Sequence, residues 1–561
     1  MVGYLFYVVG SLFRAVGNAL RRMMRAPDFV VFTLEGPYPE LKQPPGNLLQ
    51  RTLRPPRQSL QELAEHMCAV ARDPRTRGVV LHLRPLGMPR ARLDTLRDLI
   101  GELRRAGKRV VAWSTSYDEG TYYVACAADE VLLLPGGTLA PLGLRRGQVY
   151  LADALERIGL RADVLQISPY KSAGDILARR AMSDEVREMT NWLLDGTYAE
   201  VVRAIAQGRG LDEDGAKALI DSTPCTDLQA KEMGAIDEIL SEEELPAYLQ
   251  QGARPPSLMP WQQAGRRLPR RRLPRPGRYV ALVSIEGMIV DGQSQQPPME
   301  PPIPIPLVAD RRAGDLSVVP VVRRVTADRR AAAVVLYVDS RGGSATASES
   351  MRAALARLAA KKPLVVAMGD VAASGGYWVS TPGRTLIAQP NTITGSIGVL
   401  LARVRNAGLL DNLLINREVI ARGEGALIDD LDHRLTERER EKLWQYVERI
   451  YDLFLDRVAD SRRMAREAVD EVGAGRVWTG RQALAHGLID ELGGLEQALG
   501  KARRLGGLSE NAPVRMMVPT AKPVAPLPDT AAAFRHLVGG IQLLTRPTPL
   551  CIYPFLDDDL C

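Results

Sequence analysis

At 561 residues, 46 % hydrophobic and 25 % charged, the chain is too long for a single core and too apolar for wholesale disorder or a collagen-like repeat, so several folded modules are expected. Its five cysteines show neither CxxC spacing nor disulfide density, which argues against a metal ribbon or a stapled secreted scaffold, and no metal or cofactor is implied. The net charge of +7 is local: residues 261–278 hold seven arginines and no acid, and residues 1–27 hold four arginines and no acid, so a basic face following a phosphate backbone, and with it nucleic-acid binding, is not supported.

Residues 1–27, MVGYLFYVVGSLFRAVGNALRRMMRAP, open with thirteen mostly apolar positions before Arg14, against about 20 for a spanning helix. Apolar residues then continue between arginines (Ala15, Val16, Ala19, Leu20, Met23, Met24). That pattern predicts a helix lying in a membrane interface with its arginines near anionic headgroups. Positive charge follows the apolar run instead of preceding it, which fits a signal peptide poorly.

The remainder repeats itself. RGVVLHLRPLG (77–87) lies over AAAVVLYVDSRGG (331–343), KRVVAW (108–113) over PLVVAM (363–368), and AKEMGAIDEI (230–239) over ALAHGLIDEL (483–492). FTLEG (32–36) likewise matches VSIEG (283–287). The offset drifts only from 251 to 255 residues, so two homologous domains are expected, at 28–250 and 279–507. Between them, 251–278 reads as an extended, solvated Arg/Pro linker, and 508–561 as a tail. Within each half, β-rich apolar runs such as VVLYV (334–338) and RTLIAQP (384–390) alternate with helical stretches such as 348–362, where Met351, Leu355 and Leu358 recur at helical spacing. This alternation predicts α/β domains with a mainly parallel sheet. Additional helical material follows at 182–207 and 435–463, and the proline-rich stretch 297–306 reads as an exposed loop.

The halves differ at their strand ends, where α/β sheets place ligands. In the second half one strand ends in DSRGGS (339–344) and the next in GDVAASGGYW (369–378). Gly342 and Gly343 can turn backbone N–H groups toward a carbonyl, and Ser374 before Gly375 and Gly376 presents a hydroxyl at a helix start, an arrangement suited to acyl transfer through a tetrahedral oxyanion. The plainer reading makes Ser374 an N-cap and the glycines turn residues. None of the five histidines adjoins these loops, and lysine is the other base used with serine. Only ten of the 73 Lys+Arg residues are lysine, and arginine cannot deprotonate in a protein. Lys171, in ISPYKSAGDI, has no lysine counterpart in the second half, while Ser374 aligns with Glu119 in the first. One repeat keeps a base and the other a nucleophile. To act as base Lys171 must be neutral, which needs burial strong enough to bring its pKa to roughly 7–8. An exposed Lys171 paired with Asp175 at i,i+4 spacing would stay charged.

At these residues the chain resembles the long, two-domain type of the signal peptide peptidase A family, serine/lysine peptidases with a Clp-protease or crotonase-like fold. ASGGYW (373–378), GSIGV (395–399), VWTGRQALAHGLID (477–490) and YKSA (170–173) carry the likeness, although the family loop SPGG reads SRGG here. The resemblance implies tandem Clp/crotonase-like domains, Ser374 as nucleophile, Lys171 as general base, and Gly342, Gly343 and Gly375 as oxyanion-hole candidates. It also implies a membrane-associated homotetramer of the bacterial inner membrane that degrades cleaved signal peptides and other short apolar peptides. A crotonase-like acyl-CoA enzyme and a catalytically inactive membrane scaffold of the same fold are the alternatives.

Overall fold

The computed structural model describes residues 2–42, 57–271, 273, 276–295, 311–518 and 549–552. The proline-rich stretch 297–306, Cys561 and most of the expected tail lie outside them.

Two compact units form, residues 1–145 with 195–277, and residues 146–194 with 278–561. In the first, a seven-stranded sheet runs in the order Cys225–Thr226, Glu130–Leu139, Arg109–Tyr117, Gly78–Leu83, Phe29–Leu34, Leu258–Pro260, with Glu238–Ile239 added beside Glu130–Leu139. Its centre is parallel, Val30 opposite Val79 and Val79 opposite Val110, and these strands are near-continuous apolar runs because helices cover both faces. The stretch expected to be a solvated linker is folded here: Leu258–Pro260 joins the sheet edge and Trp261–Arg267 is a helix whose Trp261 stacks on Phe32 and His66. Its arginines hid four apolar positions, Leu258, Trp261, Ala264 and Leu268, that pack inward.

The helix Val2–Met23 belongs to the same unit. Arg14, Asn18 and Arg21 donate hydrogen bonds to the carbonyls of Arg271, Arg270 and Arg266, which leaves Leu12, Phe13, Leu20 and Met23 exposed. No helix among the described residues is long and apolar enough to cross a membrane.

The second unit holds an eight-stranded sheet ordered Val477–Thr479, Ile393–Gly395, Leu364–Ala373, Ala331–Ser340, Tyr279–Glu286, Val514–Met516, with Thr385–Ala388 and Glu491–Leu492 branching from it. Ala345–Ala359 is a helix, capped by Ser344 and burying Met351, Leu355 and Leu358 as its spacing predicts. The tandem α/β architecture is thus observed, and the units share more than strand order. Tyr122 donates to the Ala235 carbonyl and Tyr377 to that of Leu488, each at 2.7 Å. Arg209 grips Asp237 and Arg462 grips Asp490, each aspartate also accepting from a strand N–H, Val131 or Leu386.

A second, six-stranded sheet distinguishes this unit, ordered Arg312–Gly314, Met288–Val290, Gly342–Ser344, Pro549–Ile552, Leu400–Arg405, Arg161–Gln166. Residues 146–194, read from sequence as part of the first repeat, belong to the second unit. Arg161–Gln166 pairs antiparallel with Leu400–Arg405 over six residues, and Trp192 stacks on Trp478 while donating its indole N–H to the Val477 carbonyl.

Candidate active site

Ser374 sits between the strand Leu364–Ala373 and the helix Gly375–Ser380 with φ 57° and ψ −115°. A non-glycine residue there is strained by about 1–3 kcal/mol, and such strain persists only when surroundings enforce it. They do: the Ser374 N–H donates to the Gly395 carbonyl and its own carbonyl accepts from the Trp378 N–H, both at 2.8 Å. Gly376 must be glycine, because a Cβ there would meet the Ser340 carbonyl oxygen at 2.5 Å. The hydroxyl makes no capping bond to the helix it precedes, which removes the N-cap reading of this serine. It faces a lysine instead.

Lys171 follows the strand Arg161–Gln166 and heads a short 3₁₀ turn, Ser172–Gly174. Glycines make room for it: a Cβ at Gly475 would meet Lys171 Cα at 2.6 Å, and one at Gly398 would meet its Cδ at 3.2 Å. The guanidinium of Arg476, next to Gly475, lies 4.2 Å from the ring centroid of Tyr170. Lys171 Nζ lies 2.6 Å from Ser374 Oγ and 2.9 Å from both the carbonyl and the hydroxyl oxygen of Ser396. Both Lys171 and Ser374 are 0 % exposed. Burial lowers the Lys171 pKa to about 7, opposed only by the nearby Cys551 thiol. The pairing with Asp175 does not form; Asp175 is itself buried and lies 3.3 Å from Arg179.

The glycine loops converge on the same point. A Cβ at Gly375 would stand 3.1 Å from Gly342 Cα and 3.2 Å from Gly343 N. Gly342 and Gly343 have φ of 98° and 148°, a region that favours glycine. The Gly342 N–H is already committed to the Ser340 hydroxyl at 3.1 Å, whereas Gly375 opens its helix, where an N–H has no intrahelical acceptor. Among the described residues no histidine hydrogen-bonds Ser374 or Lys171: His82 packs on Trp113, His486 on Trp478, and His433 meets Glu439.

Two residues of this site were not singled out from sequence, Ser396 and Cys551. Ser396 lies within the GSIGV run that carries the family likeness, and its φ of 50° is what aims both its oxygens at Lys171. Cys551, in the strand Pro549–Ile552, is fully buried with its thiol near Ser374; nothing in a short apolar run of a presumed tail signals that position.

A hydroxyl at a strained strand–helix turn, an amine tending to neutrality and glycine-rich loops are the parts of a serine-type hydrolase. The model of Peptidase family S49 matches the chain twice, at residues 102–254 and 356–509, and the chain belongs to that family. It is 30 % identical over 493 residues to the chloroplastic serine protease SPPA of Arabidopsis thaliana, covering 86 % of this chain and 71 % of that protein. Protease 4 of Haemophilus influenzae is 29 % identical over 453 residues (77 % and 71 %), and Protease 4 of Salmonella typhi 29 % over 457 (77 % and 70 %). The protein is a serine peptidase with tandem domains, acting on peptide substrates.

Proposed function

We propose that Ser374 is the nucleophile and Lys171 the general base of an endopeptidase that degrades signal peptides and other short apolar peptides at a membrane surface. The observation that carries this reading is the 2.6 Å approach of Lys171 Nζ to Ser374 Oγ in a site that lowers the lysine pKa to about 7. A neutral amine has two N–H groups and one lone pair. The two oxygens of Ser396 accept the N–H groups, so the lone pair is left for the Ser374 hydroxyl proton. Ser374 Oγ attacks the scissile carbonyl as Lys171 takes that proton; the N–H groups of Gly375 and Gly343 receive the developing oxyanion; Lys171 then protonates the leaving amine. A water activated by the same amine releases the acyl group. Of the three glycines suggested by sequence, Gly342 contributes by leaving space, since its N–H is engaged by Ser340.

Membrane association rests on the helix Val2–Met23, whose polar residues turn toward the protein and whose apolar residues face outward, the arrangement of an interfacial anchor. Assembly as a homo-oligomer, a tetramer by resemblance, completes the reading. The test is labelling with a fluorophosphonate probe followed by mapping of the modified residue. Modification of Ser374 in the wild type, and its loss in Lys171→Ala, is the expected result; labelling elsewhere, or undiminished labelling without Lys171, refutes the dyad.

A further inference from the structure

The first unit carries a cavity that peptide hydrolysis does not use. It measures about 1080 Å³, at the upper end of small-molecule sites, which run to roughly 300–1,000 Å³, and it holds far more room than a lone inorganic ion fills. Three stretches enclose it: the N-terminal helix Val2–Met23, the helix Leu60–Ala71 with the turn that follows it, and the segment 261–273. Its lining has seven arginines and two carboxylates, Glu65 and Asp73. Both carboxylates are already answered, Glu65 by Lys42 and Asp73 by Arg75, each at 2.7 Å. Among the described residues no carboxylate pairs with Arg14, Arg22, Arg72, Arg266 or Arg270, so the excess is positive. Burial, then the charges of Arg270 and Arg14, lower the pKa of the adjoining Arg21; like charges crowd here instead of neutralising one another. The segment is fastened through its backbone, Asn18 and Arg21 donating to the carbonyls of Arg270 and Arg266, which leaves the side chains of those two arginines exposed.

Much of the remaining lining is apolar or aromatic: Ala69, Trp261, Leu268, Pro269 and Leu273. Leu268 is buried, and Leu273 packs so near Gly10 of the N-terminal helix that a Cβ there would meet it at 3.1 Å. Unanswered arginines beside an apolar wall fit a ligand that is anionic at one end and hydrocarbon at the other. Arginine matches phosphate oxygens with its planar fork of donors, and hydrocarbon gains by leaving water. On its other side the same helix exposes Leu12, Phe13, Leu20 and Met23, the face by which an interfacial helix lies on acyl chains. A cavity behind such a helix stands at the depth of the headgroups.

We propose that this cavity binds an anionic phospholipid, its phosphate among the arginines and the start of an acyl chain along Trp261, Leu268 and Leu273, so that the first unit attaches to membranes with a preference for acidic lipid. The proposal rests on the membrane-surface reading for the source of the lipid and is independent of the Ser374–Lys171 dyad. The experiment uses the full chain and two vesicle preparations of equal charge, both one-third phosphatidylglycerol in phosphatidylcholine, with brominated acyl chains on the phosphatidylglycerol in one and on the phosphatidylcholine in the other. Bromine quenches indole fluorescence on contact, and Trp261→Phe shows which part of the signal comes from the cavity. Quenching of Trp261 is expected from brominated phosphatidylglycerol and not from brominated phosphatidylcholine. Arg266→Gln with Arg270→Gln keeps the backbone bonds to the helix, and in it the Trp261 quenching per bound molecule is expected to fall at least fivefold. Arg25→Gln with Arg267→Gln removes the same charge outside the lining and is expected to keep the quenching. In solution, dihexanoyl phosphatidylglycerol is expected to slow maleimide modification of Cys68, a partly exposed lining thiol, at least fivefold, whereas inorganic phosphate and dihexanoyl phosphatidylcholine at the same concentration leave it unchanged. Equal protection by inorganic phosphate makes the cavity a plain anion site and overturns the lipid. Equal loss of quenching in the two double variants, both folded, assigns the effect to diffuse surface charge and overturns it as well. Vesicle binding with neither Trp261 quenching nor Cys68 protection refutes the cavity and leaves the helix as anchor, while Cys68 protection without vesicle binding keeps the cavity and refutes the membrane-surface reading. Should a double variant not fold, Cys68 protection in the wild type decides alone.

Discussion

The same strand–turn–helix junction occurs in both units, and its two versions do opposite things. In the first unit Asp118 has an ordinary extended backbone, φ −91°, and caps the helix Glu119–Ala125 by accepting from the Thr121 N–H, while Thr121 Oγ1 accepts from the Asp118 N–H. Glu119, aligned with Ser374, pairs with Arg90 at 2.5 Å. The helix start is capped locally by side chains of its own first turn, a well-made junction. In the second unit the cap is given up: Ser374 adopts a strained backbone, its hydroxyl ignores the helix, and a fully buried lysine is held against it. One junction is relaxed and the other holds a locally unfavourable arrangement, the division expected under the proposed function, where activity and stability compete.

The sharpest way to break this contrast is to remove the two groups that only the second unit brings together. Ser374→Ala and Lys171→Ala are each expected to lower kcat/KM by about 10³–10⁶, and the double variant by no more than the worse single one, because the pair acts as a unit. Steady-state hydrolysis of a quenched peptide checks this. Lys171→Met separates the two costs: activity disappears while the melting temperature at pH 7 rises. Bringing a lysine from 10.5 to about 7 corresponds to roughly 4–5 kcal/mol withheld from the fold.

The pH dependence carries the sign of that burden. Below about pH 7 Lys171 is protonated and cannot accept the Ser374 proton, so kcat/KM is expected to rise with pH through about 7 and level off. Stability moves the same way over a different window. Between about 7 and 10.5 the unfolded chain binds a proton that the folded one does not, so the penalty shrinks as pH rises and is gone above the unfolded value. The gap in melting temperature between Lys171→Met and wild type is expected to close between pH 8 and 10; a gap independent of pH contradicts a neutral buried lysine.

Much of this was legible in sequence, and what was not has a physical cause. The repeat is read directly from the sequence, and Ser374 and Lys171 stand out as candidates because a duplicated pattern exposes any residue kept in one copy only, whereas Gly342 and Gly375 align with Gly87 and Gly120 and are singled out by their place at strand ends. The unit to which Lys171 belongs did not, since it depends on the pairing of Arg161–Gln166 with Leu400–Arg405, a contact between segments more than 230 residues apart that leaves no local periodicity. Ser396 escaped because its role comes from backbone direction, and Cys551 because a four-residue apolar strand carries no more signal than a tail. Ser396 offers a smaller test. Ser396→Ala removes one acceptor from the Lys171 ammonium, so the pH midpoint is expected to fall below that of wild type and kcat/KM at pH 8 to drop about 10–100-fold through looser placement of the amine. An unchanged midpoint argues that the hydroxyl only fills space.

The smallest effects belong to the first unit, and they decide whether its junction is purely structural. Arg90 is only 7 % exposed, and it pairs with Glu119, about one-fifth exposed. Removing the carboxylate therefore strands a cation in a site with little water, which is more damaging than losing a surface ion pair. Glu119→Ala is expected to destabilise the protein by about 1–2 kcal/mol in urea unfolding while kcat/KM per folded molecule stays within twofold of wild type. Glu119→Ser goes further, placing a hydroxyl at the position aligned with Ser374. It is expected to gain no fluorophosphonate reactivity, because the neighbouring Asp118 keeps its relaxed φ and its capping bond and, among the described residues, the charged partner of position 119 is Arg90, which cannot act as a base. Labelling at residue 119 would mean that the serine alone, without strain or lysine, is enough, and the contrast between the two junctions would lose its meaning.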